Sequence, residues 1–304
     1  MSDNADSQIF DRHLLRVRRQ RRAARYGDFD FLKQEVASRL DDRLYDVNRS
    51  FHTAADIGSH SGIMASLLGK HPGIETIISA DISGNMVRQS TGFPVIADEE
   101  FLPFKDDSLS LITSVLSLHW VNDLPGALIQ VNRALKPDGL FMAALFGGET
   151  LTELRQALLQ AEMQEMGGAS PRVSPFVDVR EAGDLLQRAG FALSVADTER
   201  ITVDYSDALS LMRDLRGMGE SNALLSRHRA PMTRRTMMAT AEAYHDLFGR
   251  PDGRIPASFD IVFLTGWSPH ESQQQPLKPG SATVNLGDAL KMFGEDLKDP
   301  EAGN

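Results

Sequence analysis

The chain has 304 residues, with 32 Lys and Arg against 42 Asp and Glu for a formal charge of −10, 41% apolar residues and no cysteine. This length supports a full hydrophobic core without a covalent or metal staple. The missing cysteine excludes a thiol nucleophile, a disulfide framework, cysteine-held zinc and a cysteine-ligated iron–sulfur cluster, and it fits a reducing compartment.

Positive charge collects early in the chain. Seven arginines and no acid lie between Arg12 and Arg25, after Asp3, Asp6 and Asp11. A transit peptide, a nucleic-acid or acidic-partner contact, and a solvated helix over the body of the protein compete as explanations. The early acids count against the first, and the lack of interleaved aromatics counts against nucleic acid. The acidic remainder of the chain offers the arginines an intramolecular partner, which favours the third. Residues 1–50 are therefore expected to form an arginine-rich helical segment. Acids in the amino terminus favour a bacterial cytoplasm, with the mitochondrial matrix as the alternative.

From Thr53 onward, short apolar runs alternate with helical segments, the pattern of a parallel sheet covered on both faces. Strands are predicted near Thr53–Ile57, Thr76–Asp81, Phe93–Ala97, Leu109–Val115 and Leu140–Phe146, with helices over Gly62–Gly69, Gly84–Ser90 and Leu124–Leu135. Lys136, Pro137, Asp138 and Gly139 stop the third helix and turn the chain into the next strand. Between Ser108 and Asn122 the chain is uncharged, but this run is too short to span a membrane, so no transmembrane helix is expected.

Beyond Thr150, Leu151, Leu154 and Leu158 recur at helical spacing, and Phe176–Gly190 reads as an amphipathic helix with Leu185 and Leu186 inward. A strand at Ile201–Val203, helices at Asp207–Met218 and Thr233–Phe248, and a strand at Asp260–Leu264 complete the pattern. The expected fold is α/β: a Rossmann-like, doubly wound, mostly parallel sheet over 51–265, with helices inserted at about 205–250 before the last strand. Such insertions cover the carboxyl edge of the sheet, where ligands of this architecture bind. Residues 266–304 are expected to form an extended or disordered tail.

The segment Ala54-Ala55-Asp56-Ile57-Gly58-Ser59-His60-Ser61-Gly62 sits where a strand gives way to a helix, and Asp81 ends the next strand. Glycines there let a backbone approach a nucleotide, and a carboxylate about 20 residues on grips a ribose diol. The acidic opening at Asp56 resembles the loop of class I S-adenosylmethionine (SAM) methyltransferases. Asp98 in Ala97-Asp98-Glu99-Glu100 and the turn Leu135-Lys136-Pro137-Asp138-Gly139-Leu140 extend the resemblance over about 53–146. It implies SAM as cofactor, with Asp81 on the ribose, Asp98 on the adenine and the Asp56–Gly62 loop at the amino-acid end. Ile82, Glu99 and Ser114 join that cofactor set. His60 departs from the pattern, because it stands where the family places its middle glycine. Either its ring projects away and the loop still binds, or the site has decayed into a scaffold.

A narrower resemblance rests on Ser114-Val115-Leu116-Ser117-Leu118-His119-Trp120-Val121-Asn122-Asp123-Leu124-Pro125, on Phe146-Gly147-Gly148-Glu149-Thr150-Leu151-Thr152-Glu153-Leu154-Arg155 and on Phe10-Asp11-Arg12. These are similar to the branch that holds the malonyl-carrier-protein methyltransferase of biotin synthesis and the arginine hydroxylase of mitochondrial respiratory complex I assembly. The branch implies a protein or acyl-carrier substrate, including a complex I subunit, and puts His119 and Trp120 at the reaction mouth. His119 stands equally as a catalytic base and as a local hydrogen-bond group, while Trp120 favours packing. Thr150 and Glu153 read as a capping box. Arg213, Arg216, Arg227, Arg229, Arg234 and Arg235 suit an acidic partner, although a solvated face is the commoner cause.

Methyl transfer from a sulfonium needs alignment and exclusion of water, and no metal. Hydroxylation normally needs iron, copper or flavin, and no histidine of this chain has an acid two positions on, as the commonest iron site has. The leading reading is a SAM-dependent enzyme modifying a protein or carrier-bound group. A non-catalytic assembly factor with a degenerate cofactor loop and a malonyl-carrier methyltransferase are the alternatives.

Overall fold

A computed structural model describes residues 8–274; most of the expected tail lies outside them. Two helices precede the sheet. Helix α1 (Arg12–Arg22) starts at Asp11, whose carboxylate accepts from the Leu14 amide at 2.9 Å, and α2 is Phe31–Tyr45. The sheet comprises β1 (Thr53–Ile57), β2 (Thr76–Asp81), β3 (Phe93–Ile96), β4 (Leu109–Val115), β5 (Leu135–Phe146), β6 (Ala192–Tyr205) and β7 (Ile255–Trp267). Their order is β3-β2-β1-β4-β5-β7-β6; the first five run parallel, and β7 is antiparallel to both β5 and β6. This is the expected doubly wound sheet, closed by an antiparallel pair.

Strand β5 shows why both faces carry helices. Leu140, Met142, Ala144 and Phe146 enter one apolar cluster, and the alternate Phe141, Ala143 and Leu145 enter the other. The first cluster is covered by α2, α3 (Ile63–Leu68), α6 (Thr152–Met166), α8 (Ala208–Met218) and α9 (Arg234–Phe248). Against the second pack α5 (Leu124–Ala134) and α7 (Val179–Arg188), the latter through Leu185 and Leu186 as its spacing predicts. Helix α4 (Gly84–Val87) follows β2.

Several local expectations change. Strand β6 spans 14 residues, where three are expected, because as an edge strand it only half-buries alternate positions, and Asp197, Glu199 and Arg200 hide its pattern. Strand β7 covers Ile255–Trp267, where Asp260–Leu264 is expected, and β5 starts at Leu135, so that the expected turn Lys136–Gly139 is its first part. The capping box does not form. Helix α6 begins after Leu151 in a left-handed conformation, while the Thr150 hydroxyl donates to Asp260 O at 3.0 Å and Glu153 accepts from the Ser258 amide and hydroxyl. Both side chains pin α6 to β7 instead.

The inserted α8 closes on the amino-terminal segment. A methyl group at Gly217 would stand 2.2 Å from Cγ of Phe29. Alanine favours a helix over glycine by about 1 kcal/mol, yet this contact makes Gly217→Ala an overpacking change costing about 1–3 kcal/mol. Denaturant unfolding checks the sign; a gain in stability would show that Phe29 yields freely.

Candidate functional site

The turn after β1 carries three residues with positive φ: Gly58 at 63°, His60 at 50° and Gly62 at 84°. Only glycine takes such values without cost, so His60 is held there by its surroundings. Its amide donates to Asp81 Oδ2 at 3.0 Å, and its ring stacks on Tyr26 at 5.3 Å between centroids. Lys33 of α2 fills the space beside the ring. Its ammonium donates to Gly58 O at 3.0 Å and Val115 O at 2.7 Å and stands 2.6 Å from His60 Nδ1, which itself lies 2.8 Å from Gly58 O. Burial, with the charges of Lys33 and Arg19, pushes the imidazole well below its ordinary value, so it stays neutral.

Asp56, beneath this loop, is buried. Burial raises its carboxyl to about 7 against the pull of Lys33 and the Thr113 hydroxyl, while burial lowers Lys33 to about 8 against the pull of Asp56. Oδ2 of Asp56 and the hydroxyl of Ser59 are buried without a hydrogen-bond partner. Such orphan groups are rare in folded proteins.

Helix α1 is the largest departure from expectation. It does lie over the body and does find its acids there, but two of its arginines are not solvated. Arg19 is 2% exposed; its guanidinium reaches Asp81 Oδ2 at 3.2 Å, Glu99 Oε1 at 3.3 Å and Ser117 Oγ at 2.9 Å. Arg12 pairs with Asp98 and Glu99 and donates to Trp120 O at 3.2 Å. Burial opposes ionisation of Glu99, but Arg12, Arg19 and the Ser117 hydroxyl hold it down to about 2. Burial raises Asp81, partly offset by Arg19; its Oδ1 accepts from the Ser83 amide at 2.7 Å.

Asp56, Gly58, His60, Gly62, Asp81, Asp98 and Glu99 thus gather at the carboxyl edge of β1, β2 and β3. Ile82 lies beside them, in the floor of a cavity of about 350 Å³ with Ile96, Ala97 and Asp98, under Arg12, His13 and Arg16. Ser114 turns away, its hydroxyl donating to Ile57 O at 2.9 Å, and Ser117 is the serine that faces the cluster. Above Gly58 the space is taken: a Cβ there would stand 2.1 Å from Ser117 Oγ. Arg12 and Arg19 were legible as a charge block but not as site residues, and Lys33 carried no motif at all.

His119 and Trp120 sit past β4 in the Leu118–Trp120 turn, both buried. The ring of His119 is enclosed by Phe146 at 4.6 Å, Trp120 at 5.5 Å and Phe176 at 5.8 Å. Glu220, from the segment after α8, accepts from His119 Nε2 at 3.1 Å and from Trp120 Nε1 at 2.9 Å. That orients the ring and leaves Nδ1 buried without a hydrogen-bond partner. Among the described residues, no group of His, Asp and Glu is arranged to hold a metal ion, and no helix is long and apolar enough to cross a membrane.

A methyltransferase-domain family matches residues 55–143. The chain is 47% identical over 292 residues to the mitochondrial arginine-hydroxylase NDUFAF5 of Homo sapiens, covering 93% of this chain and 84% of that protein. It is 34% identical over 292 residues to the malonyl-[acyl-carrier protein] O-methyltransferase of Laribacter hongkongensis, covering 91% and 96%. Among solved structures, the YcgJ protein of Bacillus subtilis shares the fold, with a TM-score of 0.52 at 18% identity over 76% of this chain and 98% of that one. A doubly wound sheet, a glycine-bearing turn after β1, an acid ending β2 and these two sets of relatives give one conclusion: the chain belongs to the SAM-dependent methyltransferase-fold enzymes, in the branch of NDUFAF5 and the malonyl-carrier-protein methyltransferases.

Proposed function

We propose that this protein is a SAM-dependent enzyme that modifies a group borne by a polypeptide client or a carrier protein, with a respiratory complex I subunit as one such client. The observation that carries this reading is Asp81. It ends β2 at the edge of the glycine-bearing turn, and the amides of His60 and Ser83 fix its carboxylate. A carboxylate in that position takes a ribose diol. The donor set fits SAM: Asp81 would hold the ribose, Asp98 at the cavity over Ile82 the adenine, and the loop from Asp56 to Gly62, with its orphan Asp56 Oδ2 and Ser59 Oγ, the amino-acid end. Bound there, SAM supplies a methyl group on an already activated sulfonium. The chain's part is to bind, align and exclude water. His119, with Nε2 held by Glu220 and Nδ1 unpartnered in its aromatic enclosure, is suited to take a proton from a substrate group.

A second reading rests on its own observation. Arg19 stands on Asp81, and Lys33 and His60 fill the space by the loop. A cleft closed by its own side chains suits an assembly factor that no longer turns over.

Calorimetric titration with SAM separates the two. An enzyme binds SAM, and Asp81→Ala weakens that binding by roughly ten- to a hundredfold, the value of a charge-assisted hydrogen bond. No heat from the wild type, with binding restored in His60→Gly or Arg19→Ala, would establish the assembly factor.

Arg19→Met tests the cluster itself. It leaves Asp81 and Glu99 buried without one of their cations and is expected to cost about 3–5 kcal/mol in denaturant unfolding. Adding Glu99→Gln should recover part of that loss.

A further inference from the structure

A cavity of about 380 Å³ opens between α1, α6, α8 and the segment after α8. Its lining combines Arg18, Arg172, Arg216, Arg227 and Arg229 with the apolar Leu154, Leu158, Met212, Leu215 and Met232. The charges do not balance. Glu162 pairs with Arg172 at 2.5 Å and Asp11 with Arg227 at 3.2 Å. Glu220, the acid within the cavity lining, is already engaged by His119 and Trp120. Arg18 spends its Nη1 on the carbonyls of Ser221 and Asn222, and neither Arg216 nor Arg229 has a carboxylate partner among the described residues. Burial and the charge of Arg227 already depress Arg18.

A solvated arginine face is convex and wet. Here Arg216 and Arg229, which lack a carboxylate partner, and Arg18, which shares the charge of Asp11 with Arg227, line a concavity together with apolar side chains, which is the make-up of a ligand pocket. The cavity also leads somewhere. A slot of about 50 Å³ shares Leu154, Arg172, Leu215, Glu220 and Asn222 with it and ends on Trp120, Phe146 and Phe176, the three rings that enclose His119. Glu220 lines both spaces and holds His119 and Trp120.

We propose that this cavity is the outer chamber of the reaction mouth and binds an amphipathic anion, an apolar chain ending in a carboxylate or phosphate, as the distal part of the substrate. The assignment to a substrate rests on the enzyme reading above. The anion sits among Arg18, Arg216 and Arg229, the apolar chain lies on Leu154 and Met212, and the slot admits the reacting end. A cationic group is repelled at the same place.

Titration of the full chain with octanoate, octyl phosphate, octylamine and inorganic phosphate tests this. At least one of the two octyl anions binds, and which of them binds more tightly identifies the head group. Octylamine does not bind, and inorganic phosphate binds more weakly than octyl phosphate. Arg216→Gln and Arg229→Gln, both at exposed positions and so without cost to folding, each weaken the anion by roughly tenfold. Binding of neither octyl anion, equal binding of octylamine, equal binding of inorganic phosphate, or indifference to both variants would each overturn the proposal. The SAM titration fails or succeeds separately: anion binding without SAM binding keeps the chamber and removes the enzyme, and the reverse removes only the chamber.

Discussion

The contact on which the site depends is the buried cluster of Arg12, Arg19, Asp81 and Glu99, with Ser117 completing it. Two carboxylates at the ends of parallel strands converge because parallel strands all present their carboxyl ends to one edge. Left alone in an apolar setting they would repel and take up protons. Arginines from α1 let both acids share cations, and Glu99 stays ionised as a result. Removing one member strands a buried charge, a larger loss than the pair itself contributes. Helix α1 is thereby tied to the sheet edge far more tightly than its exposed, arginine-rich face implies.

The same helix organises the second half of the molecule. Residues 9–11 pair as backbone with residues 223–225, the rings of Phe10 and Trp120 meet edge to face at 5.2 Å, and Arg18 caps two carbonyls of the segment after α8. Adjacent residues on one helix therefore serve two spaces, with Arg19 on Asp81 at the sheet edge and Arg18 in the arginine-lined cavity. Glu220 closes the circuit by gripping His119 and Trp120 from the inserted segment. Sheet edge, aromatic enclosure and cavity share one set of supports, so a change in α1 is felt in all three.

Much of this was legible without coordinates where the code is local. Strand β1, the glycine-bearing turn and Asp81 are consecutive in motif and in space, so spacing alone locates them. Leu185 and Leu186 face inward because helix period places them there. Thr150 and Glu153 show the opposite case: their spacing satisfies a helix cap, but β7 brings Asp260 and Ser258 close enough to win both side chains. Strand β6 was mostly hidden because an edge position only half-buries alternate residues.

By itself the sequence determined the doubly wound sheet, the carboxylates at its edge and the resemblance to the SAM-dependent methyltransferase fold, because period, turn chemistry and motif spacing are properties of neighbouring residues. Only the tertiary structure decided the fate of the arginines. Nothing in the order of residues distinguishes Arg19, buried on Asp81, from Arg16 or Arg21, which remain exposed. That choice follows from how α1 lies across the sheet, and the position of Lys33 against the glycine turn follows from how α2 packs. Contacts between residues far apart in the chain depend on global packing, and a local pattern carries no record of it.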